Sequence, residues 1–570
     1  MSRQWAIVLL AATFGFALQV PLQAPIDQTL ASESRNASRW RFDAPLSSTN
    51  TTSNLIFDGV SSLLQQWGNT RYRNGHNIVP VTIPVGTIFY HGTTQKVVPT
   101  TPEWVATDPE HAYPFCQVAE GEKGCWSLTV AAARPLNILY FDGASAAKLY
   151  GPLDTQDLIA FGEVIDNPER AFEEYTRIER LCSWGKKYNL DGFMRMGVDF
   201  ELMICDFQSS FEVVSFVKLV PGFPPPPAVL KKPSLAAFRM LEAGQMHNHF
   251  PGETRAQLDL TRLVSLYDTE LFPSLVKGRE GQERWFHRAA GIGKDDRERL
   301  MQHLDDVLSA KPSRSNIDWT SIYRVVIHRY ADRLEVLQSM FQSKPPASEI
   351  VGRAKKTVDV FEYVESMLYP YILYGVEPPS STAHQNGGSH DWAIPVFERC
   401  ATLNTAFISS KVTLSSSEKL LLRAVNDVLY EICRALVGIW AEGREIGYGG
   451  NPEIEERRNS LTDHGTLGKW ENEVDKLISW LDWSVMIKCR PTCGFEEMCY
   501  LPTWPFWPAE GLIYPPKTQE ERWGWVKESS ALYARSRATS NVSDPSDYWM
   551  KPQTECLRRV VPLEVPGPKK

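Results

Sequence analysis

The chain has 570 residues, a formal net charge of −8 and 43% hydrophobic residues, the balance of ordinary globular domains. That composition excludes a disordered, collagen-like or wholly coiled-coil chain, and the acidic balance argues against nucleic acid as a partner, since tracking phosphates needs a basic patch. The length accommodates roughly two to four domains, and the ten cysteines are too few for a disulfide scaffold but even in number.

Residues 1–22 read as a signal peptide: Arg3 precedes an apolar run from Trp5 to Leu18, and the small residues Gly15 and Ala17 sit near a cleavage position. The run is shorter than the roughly 20 residues of a spanning helix. Val20 and Leu22 extend it, so an uncleaved N-terminal anchor in a secretory-pathway membrane is the alternative to a secreted, extracellular protein. Residues 23–56 form a polar segment with glycosylation acceptors at Asn36 and Asn50, and a third acceptor lies at Asn541.

From 57 to 220 the pattern is mixed α and β. Short β-branched and aromatic runs at 87–91, 126–130, 137–141, 200–205 and 212–217 predict strands, and a helical stretch ends at Gly185, read as a stop signal. Residues 221–233 include four consecutive prolines, Pro224 to Pro227, and read as an extended linker. Beyond it, 234–570 is predicted to be mainly helical. Trp319, Ile322, Tyr323, Val326, Ile327, Tyr330, Leu334, Leu337 and Phe341 recur at helical spacing; Ser415 and Glu418 form a capping box; Trp470, Val474, Leu477, Ile478 and Leu481 mark a further helix. A break near 377–390 and an aromatic loop at 504–508 interrupt this region.

Three pieces carry candidate chemistry, in order. A strand delivers Phe89-Tyr90-His91-Gly92-Thr93; then comes Trp104-Val-Ala-Thr-Asp-Pro-Glu-His-Ala-Tyr113; far downstream Asp191-Gly192 precedes Asp199-Phe-Glu-Leu-Met-Ile-Cys-Asp206. Over residues 80–220 this set resembles the ADP-ribosyltransferase fold, in which a strand ending in His-Gly-Thr or His-Gly-Ser is followed by an aromatic segment and later by a strand bearing a catalytic Glu. The resemblance implies an α+β domain with a split sheet, NAD as substrate, and a protein or water as acceptor of ADP-ribose. It implies that His91, Gly92 and Thr93 contact NAD, His91 at the adenine-side ribose and the Gly92 backbone at the nicotinamide amide. Trp104 would stack on the nicotinamide ring, and Glu201 would be the catalytic residue that stabilises oxocarbenium-like charge. Trp104 stands where the family usually has Tyr, and Asp199 where arginine-modifying members carry the longer Glu or Gln.

The chain as a whole is similar to large secreted fungal proteins without an assigned activity. A second reading is therefore a non-catalytic extracellular glycoprotein that keeps the fold with a degenerate pocket and meets a protein partner through its helical part. A third is a hydrolase using Ser145 in Gly143-Ala-Ser145. No metal is expected: His247-Asn-His249 lacks a carboxylate-rich sequence context and reads as a surface loop, and the Cys489, Cys493, Cys499, Cys556 spacing suits disulfides better than zinc. The cysteines divide four and six about the linker, so each half can close its own bridges, Cys116 with Cys125 among them.

Overall fold

All five predicted runs become strands, and the sheet they build is completed by strands with weaker signals. The computed structural model describes residues 40–46, 51–116, 124–147, 151–166, 170–171, 173–220, 235–248, 252–311, 315–343, 349–379, 390–411, 413–449, 465–501 and 551–562. The strands are β1 (Asn77–Ile83), β2 (Ile88–Thr93), β3 (Glu103–Ala106), β4 (Cys125–Ala132), β5 (Leu136–Phe141), β6 (Gly192–Met196), β7 (Phe200–Ile204), β8 (Phe211–Leu219), β9 (Gln257–Leu258) and β10 (Val264–Ser265). They lie in one sheet in the order β10-β1-β5-β6-β7-β3-β2-β4-β8, with β9 also on β1. Only β5 and β6 run parallel. A parallel pair needs a crossover, and this one carries the helices Asp154–Ala160 and Glu174–Gly185.

β1 escapes a pattern reading because Pro80 lies inside it, and proline has no N–H to give a ladder. The structure accommodates Pro80 in a gap: on that side of β1, β10 pairs with residues 77–78 and β9 with 81–82. The helix before β6 does end at Gly185, but Gly185 stays right-handed and the chain runs on through a 3-10 turn, Lys186–Tyr188. The left-handed residue that stops it is Asn189, at φ 55°, a residue type that tolerates this conformation.

In the second half the apolar stripe forms the helix Trp319–Gln342, which buries the predicted positions save Ile322, half-buried beside them. The helix Ser416–Ile446 opens on the capping box, with the Ser415 side chain and Glu418 each serving the other's backbone N–H, and closes at left-handed Gly447. The third, Thr466–Leu481, buries Trp470, Val474, Leu477 and Leu481.

The two halves share one core. Phe89, Val105 and Leu202 on one face of the sheet belong to the same buried cluster as Tyr323, Leu334, Leu429 and Trp440 of the helices. The other face packs Leu139, Phe193 and Met203 against Ile178, Leu181, Leu300 and Leu304. β9 and β10 come from beyond the proline segment, so the sheet draws on chain from both sides of it. The segment before residue 57 also contributes core: Trp40 is buried with its ring stacked on Tyr430, and the helix Ser53–Ser61 carries Phe57 between Tyr323 at 4.7 Å and Trp483 at 5.5 Å.

All ten cysteines are paired, as 116–125, 182–205, 400–433, 489–499 and 493–556. Each bridge stays within its own half, including the expected clip at Cys116. Among the described residues no helix is long and apolar enough to cross a membrane. The leader at 1–22, the acceptors Asn36, Asn50 and Asn541, the linker at 221–233 and the loop at 504–508 lie outside the described residues.

Buried charge ties the first half to the second. Asp58 forms an ion pair with Arg284 Nη2 at 2.9 Å and accepts from the Ser484 backbone N–H at 2.8 Å. Arg284 also lies 3.8 Å over the Tyr72 ring and 3.4 Å from Asp482. Burial pushes the Asp58 carboxyl up while Arg284 pulls it back. Replacing Arg284 with Met leaves Asp58 buried without its cation, and a lowering of the unfolding free energy by about 3–5 kcal/mol is expected in urea titrations. An unchanged midpoint would count against the pair as a structural tie.

His287, buried beside Tyr267, has its pKa pushed down to about 3 by burial and then by the charge of Arg279. Above the ordinary histidine pKa neither the folded nor the unfolded state holds this proton. Below it the unfolded state takes up a proton that the folded state refuses, so the contribution to stability is lost as pH falls from about 6.5 toward 3. The stability difference between the wild type and His287→Gln is expected to shrink by about 2 kcal/mol between pH 7 and pH 5, read from paired denaturant titrations.

Candidate functional site

Strand register decides which predicted site residues can meet. Directly opposed residues of neighbouring strands share a face, and successive residues alternate. Tyr90 opposes Ala106, Ala106 opposes Glu201, and Glu201 opposes Arg195, so these four form one row across β2, β3, β7 and β6. Trp104, two residues from Ala106, lies on that face and opposes Met203. His91 is one residue off the row and belongs to the other face, where it opposes core Leu128. Trp104 and Glu201 are thus brought to one side, and His91 and Thr93 to the other.

Each of these residues has partners. His91 Nδ1 lies 2.8 Å from the Trp104 carbonyl, which binds the end of β2 to β3. The Trp104 ring meets Tyr175 edge-on at 5.0 Å. Glu201 is buried, with Oε1 accepting from Arg195 Nε at 2.6 Å and Oε2 at 3.8 Å from His111 Nε2. Arg195 in turn reaches Glu174 at 2.8 Å. Gly92, on the Glu201 face, lies under the helical segment Pro109–Ala112 and the turn Tyr113–Cys116. A Cβ there would sit 2.0 Å from the Ala112 carbonyl oxygen, so this approach of two backbones requires glycine. The segment that covers Gly92 is the one held by the Cys116–Cys125 bridge.

A second polar cluster adjoins the first on the same face. Asp199, two residues before Glu201, is fully buried. His247 Nε2 lies 3.2 Å from Asp199 Oδ1, 3.3 Å from Asp108 Oδ2 and 3.6 Å from Glu253 Oε2. Arg255 completes the group, at 3.2 Å from Asp108 and 2.5 Å from Glu253. Burial pushes the Asp199 carboxyl up. Burial also opposes a charge on His247, but its close contacts with Asp108 and Asp199 outweigh it and raise its pKa to about 10. Asp108 is held well below the usual carboxylate range: burial works against this, and His247 and Arg255 prevail. Asp108, Asp199 and His247 present atoms close enough together to hold a metal ion.

His247 is therefore buried rather than part of a surface loop, and its carboxylate context comes from three other stretches of chain; His249 lies outside the described residues. Pattern reading also missed His111 and Arg195. The only sequence signal for His111 is its place three residues after Asp108 in the quoted aromatic segment, and Arg195 stands inside an apolar strand with none. Ser145 is fully buried, with its hydroxyl donating to the Phe141 carbonyl at 2.8 Å, so it is no exposed nucleophile; Gly143 supplies the left-handed turn before it. A cleft of about 1040 Å³ lies elsewhere, lined by Arg262, Asp268, His303, Ser415 and Arg423 among others.

Fold and site together define a disulfide-braced protein with an α+β half, a mainly helical half on the same core, and a buried seam of acids and bases on one sheet face. The chain belongs to the family of YPL277C from Saccharomyces cerevisiae. It is 30% identical to that protein over 388 residues, 53% of this chain and 78% of the relative. The model of the YPL277C N-terminal domain matches residues 41–127 and 119–232, which contain the whole Arg195–Glu201 row. YOR389W of the same yeast is 23% identical over 544 residues, 79% of this chain and 81% of the relative. Both relatives are described as uncharacterised proteins, and no solved structure matches.

Gly92→Ala tests the covering of this face. The added methyl group meets backbone rather than a flexible side chain, and overpacking of this kind costs about 1–3 kcal/mol. The variant is expected to unfold at lower urea and to be cut faster by proteases around residues 109–116. Wild-type stability and cleavage would mean that the segment does not rest on Gly92.

Proposed function

We propose that this chain is a non-catalytic extracellular module, and that its ADP-ribosyltransferase-like motifs serve the fold rather than NAD cleavage. The observation that carries the reading is the Arg195–Glu201 pair at 2.6 Å. A carboxylate committed to a buried guanidinium is poorly placed to receive a ribose hydroxyl or to face developing positive charge. Two further observations support it: His91 serves the opposite face of the sheet, and the Gly92 backbone lies beneath residues 109–116. Complete pairing of the cysteines supports an oxidising, secretory destination, in line with the apolar leader and the glycosylation acceptors. Contact with a protein partner falls to the helical half, where Tyr374 and Phe407 expose their rings.

Calorimetric titration of the purified full chain with NAD into the millimolar range is expected to show no binding, and prolonged incubation no free nicotinamide. Nicotinamide release that is lost in Glu201→Gln would overturn this reading in favour of ADP-ribosyl transfer to a protein or to water.

A further inference from the structure

Three carboxylates converge on one imidazole nitrogen beside the Glu201 row. His247 Nε2 carries at most one hydrogen, yet Asp199, Asp108 and Glu253 oxygens stand 3.2, 3.3 and 3.6 Å from it. Only the Asp108 contact has hydrogen-bond geometry. Asp199 is shut off from water, and its Oδ2 has no hydrogen-bond partner. A buried carboxylate oxygen left without a donor is costly, and a cation among these atoms would remove the cost.

We propose that Asp108, Asp199 and His247 bind a divalent transition-metal ion, Zn²⁺ foremost, with Glu253 beside the fourth position. The ligand atoms of these three residues all lie within 4.8 Å of one another. An ion held tetrahedrally at about 2.0–2.2 Å from its ligands spaces them about 3.3–3.6 Å apart, close to the spacing around His247 Nε2. Charge agrees with geometry. With a neutral imidazole, Asp108, Asp199 and Glu253 outweigh Arg255 by two negative charges, which one divalent ion balances. The imidazole donor selects against Ca²⁺ and Mg²⁺, which prefer all-oxygen shells.

The ligands come from separate places in the fold: Asp108 at the start of the Pro109–Ala112 segment, Asp199 in the turn before β7, and His247 in the turn after the helix Leu235–Gln245. Asp199 and Glu253 form the floor, and the partly exposed Asp108 side chain, at 27%, marks the side open to solvent. Three protein ligands with a fourth position beside them is the arrangement of sites that keep a place for water or an incoming group. The inference is independent of the NAD question, because metal binding is read without any activity.

The test uses the full chain, stripped with chelator and titrated with ZnCl₂ by calorimetry, with bound zinc counted by elemental analysis. About one Zn²⁺ per chain is expected, with a higher thermal midpoint in its presence. His247→Ala and Asp199→Asn are expected to weaken binding at least about a hundredfold. Should either buried variant fail to fold, Asp108→Asn at the solvent side serves instead, and Co²⁺ bound to the wild type should show the intense visible absorption of a tetrahedral N/O site. No Zn²⁺ binding by the wild type, binding undiminished in the folded variants, or preference for CaCl₂ over ZnCl₂ would each overturn the proposal.

Discussion

Asp58 and Arg284 meet where water does not reach, and three distant stretches of chain must be in place before they can. Asp58 rides on the helix Ser53–Ser61, Arg284 sits in a turn beyond the sheet's last strand, and the Ser484 N–H that completes the carboxylate's hydrogen bonds follows the helix Thr466–Leu481. A buried ion pair is weak evidence for net stability, since desolvation offsets attraction. It is strict about partners, however, because each charge alone is costly. The five disulfides contribute nothing to this join, since each closes within one half. The halves are held together by Phe57 between Tyr323 and Trp483, the continuous apolar cluster around it and the charges of Asp58 and Arg284, together with the pairing of β9 and β10 on β1.

The seam on the outer sheet face follows the same rule at closer quarters. Glu174, Arg195, Glu201, His111, Asp199, His247, Asp108, Glu253 and Arg255 run together beneath a short helical segment, and most of them are buried. Arg195 holds one oxygen of Glu201 in a buried ion pair at 2.6 Å. Around His247 the acids outnumber the bases, and there the fold retains an excess of negative charge facing inward. One face of the sheet thus carries both a neutralised carboxylate and an under-neutralised group, with only Phe200 between Asp199 and Glu201 in the chain.

Much of the architecture was legible because it depends on local periodicity. The strands at 87–91 and 137–141, the stripe from Trp319 to Phe341 and the box at Ser415 and Glu418 announce themselves through spacing alone, which is a property of neighbours in sequence. The four-and-six division of cysteines about the prolines was equally readable, because it is a matter of position along the chain. β1 was not, since Pro80 is acceptable only in the gap that β9 and β10 leave, and those strands lie far downstream. The role of Trp40 was hidden for a similar reason: its burial depends on Phe397 and Tyr430, distant residues that no local pattern connects to it.

The site divides along the same line. Residue order alone marked Trp104, Asp199 and Glu201 as chemically notable, and the fold does gather them on one face. Which of them meet was decided by register. A shift of one residue along β2 places His91 on the core side, and the opposition of β6 to β7 sets Arg195 against Glu201. Likewise His247 reads as an ordinary loop residue until folding supplies Asp108, Asp199 and Glu253. Sequence by itself determined the kinds of element, the pairing neighbourhoods of the cysteines and the presence of acids at β7. Only the tertiary structure decided which charges lie opposite one another, because cross-strand partners and buried ion pairs are contacts between residues far apart in the chain.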